Sequence, residues 1–166
     1  PLGGKEILKF DREYSSEQKL AREEMGKERA FDIGRPSCYA ALSSGNTVVW
    51  GDSGQYILHV LNPDGTLIMR IIKEFYPKAL TSEDENEYRQ KYAEPLKAGM
   101  KISFRDNWPA FSGLFFDDEE RILVKTYDRV GGGAASFYYD VFNREGVYES
   151  KVVMPVTLDR YYIWKN

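Results

Sequence analysis

One strand–turn–strand unit is written twice along this chain. Tyr56-Ile57-Leu58-His59-Val60-Leu61-Asn62-Pro63-Asp64-Gly65-Thr66-Leu67 aligns without a gap on Phe137-Tyr138-Tyr139-Asp140-Val141-Phe142-Asn143-Arg144-Glu145-Gly146-Val147-Tyr148. A fainter third copy lies near the N-terminus, where Phe10-Asp11-Arg12-Glu13, with Glu17 and Lys19, matches Phe142-Asn143-Arg144-Glu145, with Glu149 and Lys151. The turn in each full copy runs from Asn through an acid to Gly, the chemistry of a tight hairpin. Repetition of such a unit points to a propeller or another array, because one copy cannot bury its apolar surface alone.

The repeat extends on both sides of the hairpin. Cys38–Leu42 and Thr47–Trp50 read as strands joined by the turn Ser43-Ser44-Gly45-Asn46, and Gln55–Leu61 and Thr66–Ile72 follow. Four antiparallel strands in so short a span make one propeller blade. The second copy repeats the plan with Phe111–Phe116, the acidic turn Asp117–Glu120, Arg121–Thr126, Phe137–Phe142 and Val147–Val153. The expected fold class is therefore all-β, a β-propeller with four-stranded antiparallel blades. Blades occupy 38–75 and 111–154, and a helical insertion occupies 76–110. Residues 5–37 are expected to hold the end of a preceding blade plus a linker, and 155–166 the start of a further one.

Within the insertion, Thr81-Ser82-Glu83-Asp84-Glu85 is a helix start, a hydroxyl cap with an acid three residues on. The helix is expected to run to about Ala93 and to end near Pro95. Tyr88 and Tyr92 share one of its faces, which suits packing or a partner. The segment Glu17–Arg29 reads as a strand giving way to a helical or irregular stretch up to Ile33.

Composition narrows function by exclusion. The 166 residues carry a net charge of −3, which lacks the basic footprint of a nucleic-acid binder. No apolar run is long enough to span a membrane as a helix. Cys38 is the single cysteine, so no internal disulfide forms, and its apolar setting suits a buried, inert thiol.

Apolar strand, Gly-containing turn, apolar strand, then a strand ending in Asn-x-acid-Gly resembles the blades of six-bladed β-propellers related to NHL repeats. Val60–Gly65, the Glu-rich insertion, Arg121–Tyr127 and Tyr139–Phe142 look like bacterial members of that group, most of unassigned function and often exported or lipid-anchored. The resemblance implies a shape and not a reaction. It implies a protein-binding scaffold outside the cytoplasm, periplasmic or at the cell surface, associated with an assembly or a membrane complex. A closed ring of this kind needs on the order of 250–300 residues, so the chain is expected to be part of a longer ring, or one completed by association.

Catalytic signatures are weak. His59 is the single histidine, and it falls where the second copy has Asp140. Gly131-Gly132-Gly133 lacks the Lys-Ser/Thr of a phosphate loop, and no Cys/His cluster has zinc spacing. The enzymatic alternative is a calcium-dependent propeller hydrolase of the lactonase type, for which Asp52, Asp106, Asn107, Asp128 and Asp159 would be the loop acids and amides. The favoured reading is noncatalytic, with no cofactor and a protein partner. Arg35, Trp108, Tyr127, Arg129, Arg160 and Tyr161 are its candidate contacts, being aromatic and Arg residues in loops.

Overall fold

The computed structural model describes residues 30–130 and 136–154. It is mostly β, with two four-stranded antiparallel sheets. The described residues fall into two compact units, one holding 30–35 with Lys78–Trp108, the other Pro36–Pro77 with residues from Pro109 onward. The N-terminal copy of the repeat and the C-terminal strands expected over 155–166 lie outside the described residues.

In the larger unit, the first sheet runs in sequence order through β2 (Cys38–Leu42), β3 (Val48–Asp52), β4 (Ile57–Leu61) and β5 (Leu67–Ile72). The second sheet does the same through β7 (Gly113–Phe116), β8 (Ile122–Arg129), β9 (Phe137–Phe142) and β10 (Tyr148–Met154). The hairpin turns expected from the repeat match in detail. Asn62 and Asn143 each donate a backbone N–H across the turn, to Thr66 and Val147, at 2.9 Å in both copies. Gly65 and Gly146 close them at φ +86° and +76°, a region that only glycine enters without strain. The ladder also breaks at one place in both, between Leu61↔Leu67 and Val60↔Met69 and between Phe142↔Tyr148 and Val141↔Ser150. Each break is a one-residue bulge.

The first turns correspond too. Ser43 and Asp117 open them, and Asn46 and Glu120 sit in the left-handed region at φ 65° and 61°. The Glu120 carboxylate then reaches across to the other sheet, accepting from Ser44 Oγ at 2.5 Å and Gly45 N–H at 2.9 Å.

The core lies between the sheets. Val49, Leu58, Val60 and Ile71 of the first meet Leu114, Ile122, Val124 and Phe142 of the second, with Tyr56 and Phe111 among them. Each such side chain contributes roughly 1.5–3 kcal/mol on burial. Gly51 is required here, because a Cβ would lie 2.6 Å from the Ile57 carbonyl oxygen. The second sheet also buries its opposite face, where Leu123, Tyr139 and Val141 cluster with Phe115, Phe137, Val152 and Met154.

The smaller unit differs from the sequence reading. Ala30–Ile33 is a strand, β1, and not an irregular stretch. It pairs in parallel with β6 (Lys101–Phe104), with Ala30 opposite Lys101 and Ile33 opposite Phe104. A parallel partner far along the chain leaves no hairpin signal in the sequence. Helix α1 (Ser82–Lys91) starts with the expected capping box: Thr81 Oγ1 accepts from the Asp84 N–H, and the Asp84 carboxylate accepts from the Thr81 N–H at 3.0 Å. Pro95 does not end helical structure. It sits in the first turn of α2 (Ala93–Lys97), where backbone N–H groups have no intrahelical acceptor and a proline removes nothing.

Candidate functional site

Two features of the larger unit carry chemistry: a buried ionic pin between the sheets and an open face on the first sheet. The pin starts from Asp140 on β9, which is 1% exposed. Its Oδ2 accepts from the Lys73 ammonium at 2.6 Å and from the Tyr56 hydroxyl at 2.8 Å. Tyr56 and Lys73 flank the β4–β5 hairpin and are tied together by the Lys73 N–H donating to the Tyr56 carbonyl at 3.0 Å. The Lys73 ammonium also lies over the rings of Tyr148 and Tyr56, at 4.8 and 5.2 Å from their centroids. Burial, the Asp140 charge and the hydrogen bond to it all push the Tyr56 phenol above its ordinary range. Such a group stays protonated and donates. The pin ties the sheets together through Asp140 Oδ2, on which the Tyr56 hydroxyl and the Lys73 ammonium converge.

The open face follows from strand parity. Side chains at 49, 58, 60 and 71 point into the core, so their neighbours point the other way. Cross-strand register then sets Leu42, Val48, Leu61 and Leu67 in one row, and Ala40, Trp50, His59 and Arg70 in the next. Leu42 is 64% exposed, Leu67 53% and, further along the same face, Ile72 68%. Trp50 and His59 stack at 4.4 Å between centroids with planes 11° apart, which holds the imidazole flat against the indole. Leu42, Leu67 and Ile72 thus form an aliphatic row exposed on the outer face of the first sheet.

The residues singled out in the sequence fall in several places. Arg35 is exposed in the smaller unit, and its charge helps lower the Asp32 carboxyl after the larger effect of Arg105. Trp108 is 5% exposed and packs on Tyr88 at 5.8 Å, while Tyr92 packs tilted against Phe31 at 4.5 Å. The shared face of Tyr88 and Tyr92 is thus a packing surface of the smaller unit. Tyr127 and Arg129 are half-buried on β8 rather than in a loop, because that strand runs on to Arg129. The Arg129 guanidinium lies 5.8 Å from the Phe137 ring centroid. Arg160 and Tyr161 lie outside the described residues.

Cys38 is exposed on β2, and not buried as its apolar neighbours suggest. Of the acids considered for calcium, Asp52 accepts from the Gly54 N–H at 2.7 Å as a turn former, and Asp128 pairs with Lys151. Asp106 gives its carbonyl to the Leu80 N–H, Asn107 forms a bridge with Ala79, and Asp159 lies outside the described residues. Among the described residues no group of three or more His, Cys, Asp or Glu side chains could hold a metal ion, and no helix is long and apolar enough to cross a membrane.

Leu42, Leu67, Arg70 and Ile72 are not evident from residue type. They emerge once the two hairpin copies are laid over each other and face parity is followed through the register. No protein-family model matches the chain, and no curated protein is a significant match to it.

Proposed function

We propose that this chain is a noncatalytic β-sheet scaffold, assembled from propeller-type blades, that works by binding another protein. The single observation behind this reading is how the two copies of the repeat pack. His59 on the first sheet and Asp140 on the second occupy equivalent repeat positions, yet His59 faces outward and Asp140 faces the core. The sheets therefore pack as back to front, each presenting the opposite side of the same unit. Contacts of that heterologous kind do not close on themselves with two members, and among the described residues one copy of the joining surface faces outward. In propeller-type arrays successive blades use this arrangement.

The reading is tested with purified protein, lactone and arylester substrates, and millimolar calcium. A scaffold leaves these substrates at the buffer rate and keeps its melting temperature unchanged when calcium is added or chelated. Calcium-dependent hydrolysis, lost on chelation, would replace the scaffold by the propeller hydrolase.

A further inference from the structure

Each copy of the repeat has a front, marked by Val48 and Leu61 in the first sheet and by the equivalent Ile122 and Phe142 in the second. Each also has a back, marked by Val49 and Val60 in the first and by Leu123 and Val141 in the second. The junction in this chain lays the back of the first sheet on the front of the second. Apolar burial alone does not single out that pairing, because it is non-directional and both backs and both fronts are apolar at these positions.

The polar groups of the pin are not shared out in this way. Both donors belong to the first back: the second copy has Phe137 in place of Tyr56 and Met154 in place of Lys73. These positions agree in register too, since Phe137 lies opposite Met154 and the Lys73 N–H bonds the Tyr56 carbonyl. The acceptor belongs to the second front, where Asp140 stands in the place of His59. Neighbouring charge is alike on the two fronts, with Arg70 opposite His59 and Lys151 opposite Asp140. Further along the first front, Asp52 accepts from the Gly54 N–H as a turn former. Lys73 over His59 would therefore meet Arg70 with no carboxylate in the row, and Met154 over Asp140 would bury a carboxylate without either donor. A charge stranded like that costs more than the matched pin gains. Met154 and Phe137 over His59 would strand neither group, so that pairing is not opposed.

We propose that Tyr56, Lys73 and Asp140 form an order code for the repeat. They direct the back of the first sheet onto the front of the second within one chain, and they oppose the two pairings that would part donors from acceptor. Both of those pairings need two molecules, because a sheet cannot lay its own back on its own front. The code acts while the chain folds, when similar apolar surfaces of neighbouring molecules compete for one another. It selects by penalising the wrong partner as well as by rewarding the right one.

The test gives the first front the acceptor it lacks. His59→Asp is refolded from urea at several protein concentrations, and the mass distribution is read by light scattering after gel filtration. His59→Asn, refolded beside it, controls for loss of the imidazole. The expected result is about tenfold more multi-chain species from His59→Asp than from His59→Asn at equal concentration, the effect of a carboxylate placed where Lys73 can pair with it. Lys73→Met in the same chain should abolish that excess. Equal distributions, or an excess that survives Lys73→Met, overturn the inference. If circular dichroism shows that His59→Asp does not fold, Asp140→Asn is compared with Val60→Ala, which loosens the same junction and keeps the pin. More multi-chain species from Asp140→Asn than from Val60→Ala supports the code, and an equal or smaller share overturns it.

Discussion

Lys73 of the first sheet and Asp140 of the second meet in a 2.6 Å ion pair whose acid end is 1% exposed and whose basic end is one-third exposed. The free energy of such a pair is asymmetric. Making it offsets the desolvation of the carboxylate, whereas removing one member leaves the other stranded. Asp140 Oδ1 is already buried without a hydrogen-bond partner, so the loss of Lys73 leaves the carboxylate with the Tyr56 hydroxyl and the cross-strand charge of Lys151.

Lys73→Met should therefore destabilise the protein by about 2 kcal/mol, below the buried-pair range because the ammonium is partly hydrated. Adding Asp140→Leu to Lys73→Met should recover most of that loss. Urea unfolding of the two variants measures both steps. A double variant no more stable than the single one would mean that the pair acts through a specific geometry and not through charge burial.

Tyr56 should be silent when the tyrosines are titrated. Its phenol is held above its ordinary value of about 10, first by burial and then by Asp140. A raised value in the fold stabilises the protein fully below the unfolded value, and that contribution is lost as pH climbs above about 10. The stability advantage of the native protein over Tyr56→Phe should shrink across that window. Absorbance at the tyrosinate band, followed beside circular dichroism, should show the Tyr56 increment appearing only with unfolding.

On the acid side, Glu120 joins the first turns of the two sheets. Hydrogen bonds from Ser44, Ser43 and Gly45 hold its carboxyl below the usual carboxylate range, helped by the Arg144 charge. A lowered value stabilises the fold above the unfolded value, about 4.3, and the contribution fades as pH falls through the folded value. Glu120→Gln should be less stable than the native protein at pH 7, by about 1 kcal/mol for bonds this exposed. The two proteins should converge as pH drops below 4, in thermal melts run across pH 3–7.

Gly65 and Gly146 occupy the same turn position but different surroundings. A Cβ at Gly65 meets nothing within 4 Å, so Gly65→Ala should cost about 1 kcal/mol, the left-handed penalty alone. At Gly146 the Cβ would lie 2.7 Å from Met69 Sδ and 3.0 Å from Ile71 Cγ1. Gly146→Ala should lose about 1–3 kcal/mol more from overpacking. Equal losses in chemical denaturation would show that Met69 swings clear, and that the turn does not brace the sheets.

Local interactions were legible in the sequence. The two hairpins, their Asn-to-Gly turns, the Thr81 cap and both four-stranded sheets depend on neighbours a few residues apart. What needed the tertiary structure was the choice between faces. β4 and β9 carry apolar side chains on both faces, so nothing local tells His59 to face outward and Asp140 to be buried under Lys73. The parallel pairing of Ala30–Ile33 with Lys101–Phe104, and the continuation of β8 through Tyr127 and Arg129, escaped for a related reason. Those features are decided by partners distant in sequence, whose apolar burial outweighs the local preference of the segment itself.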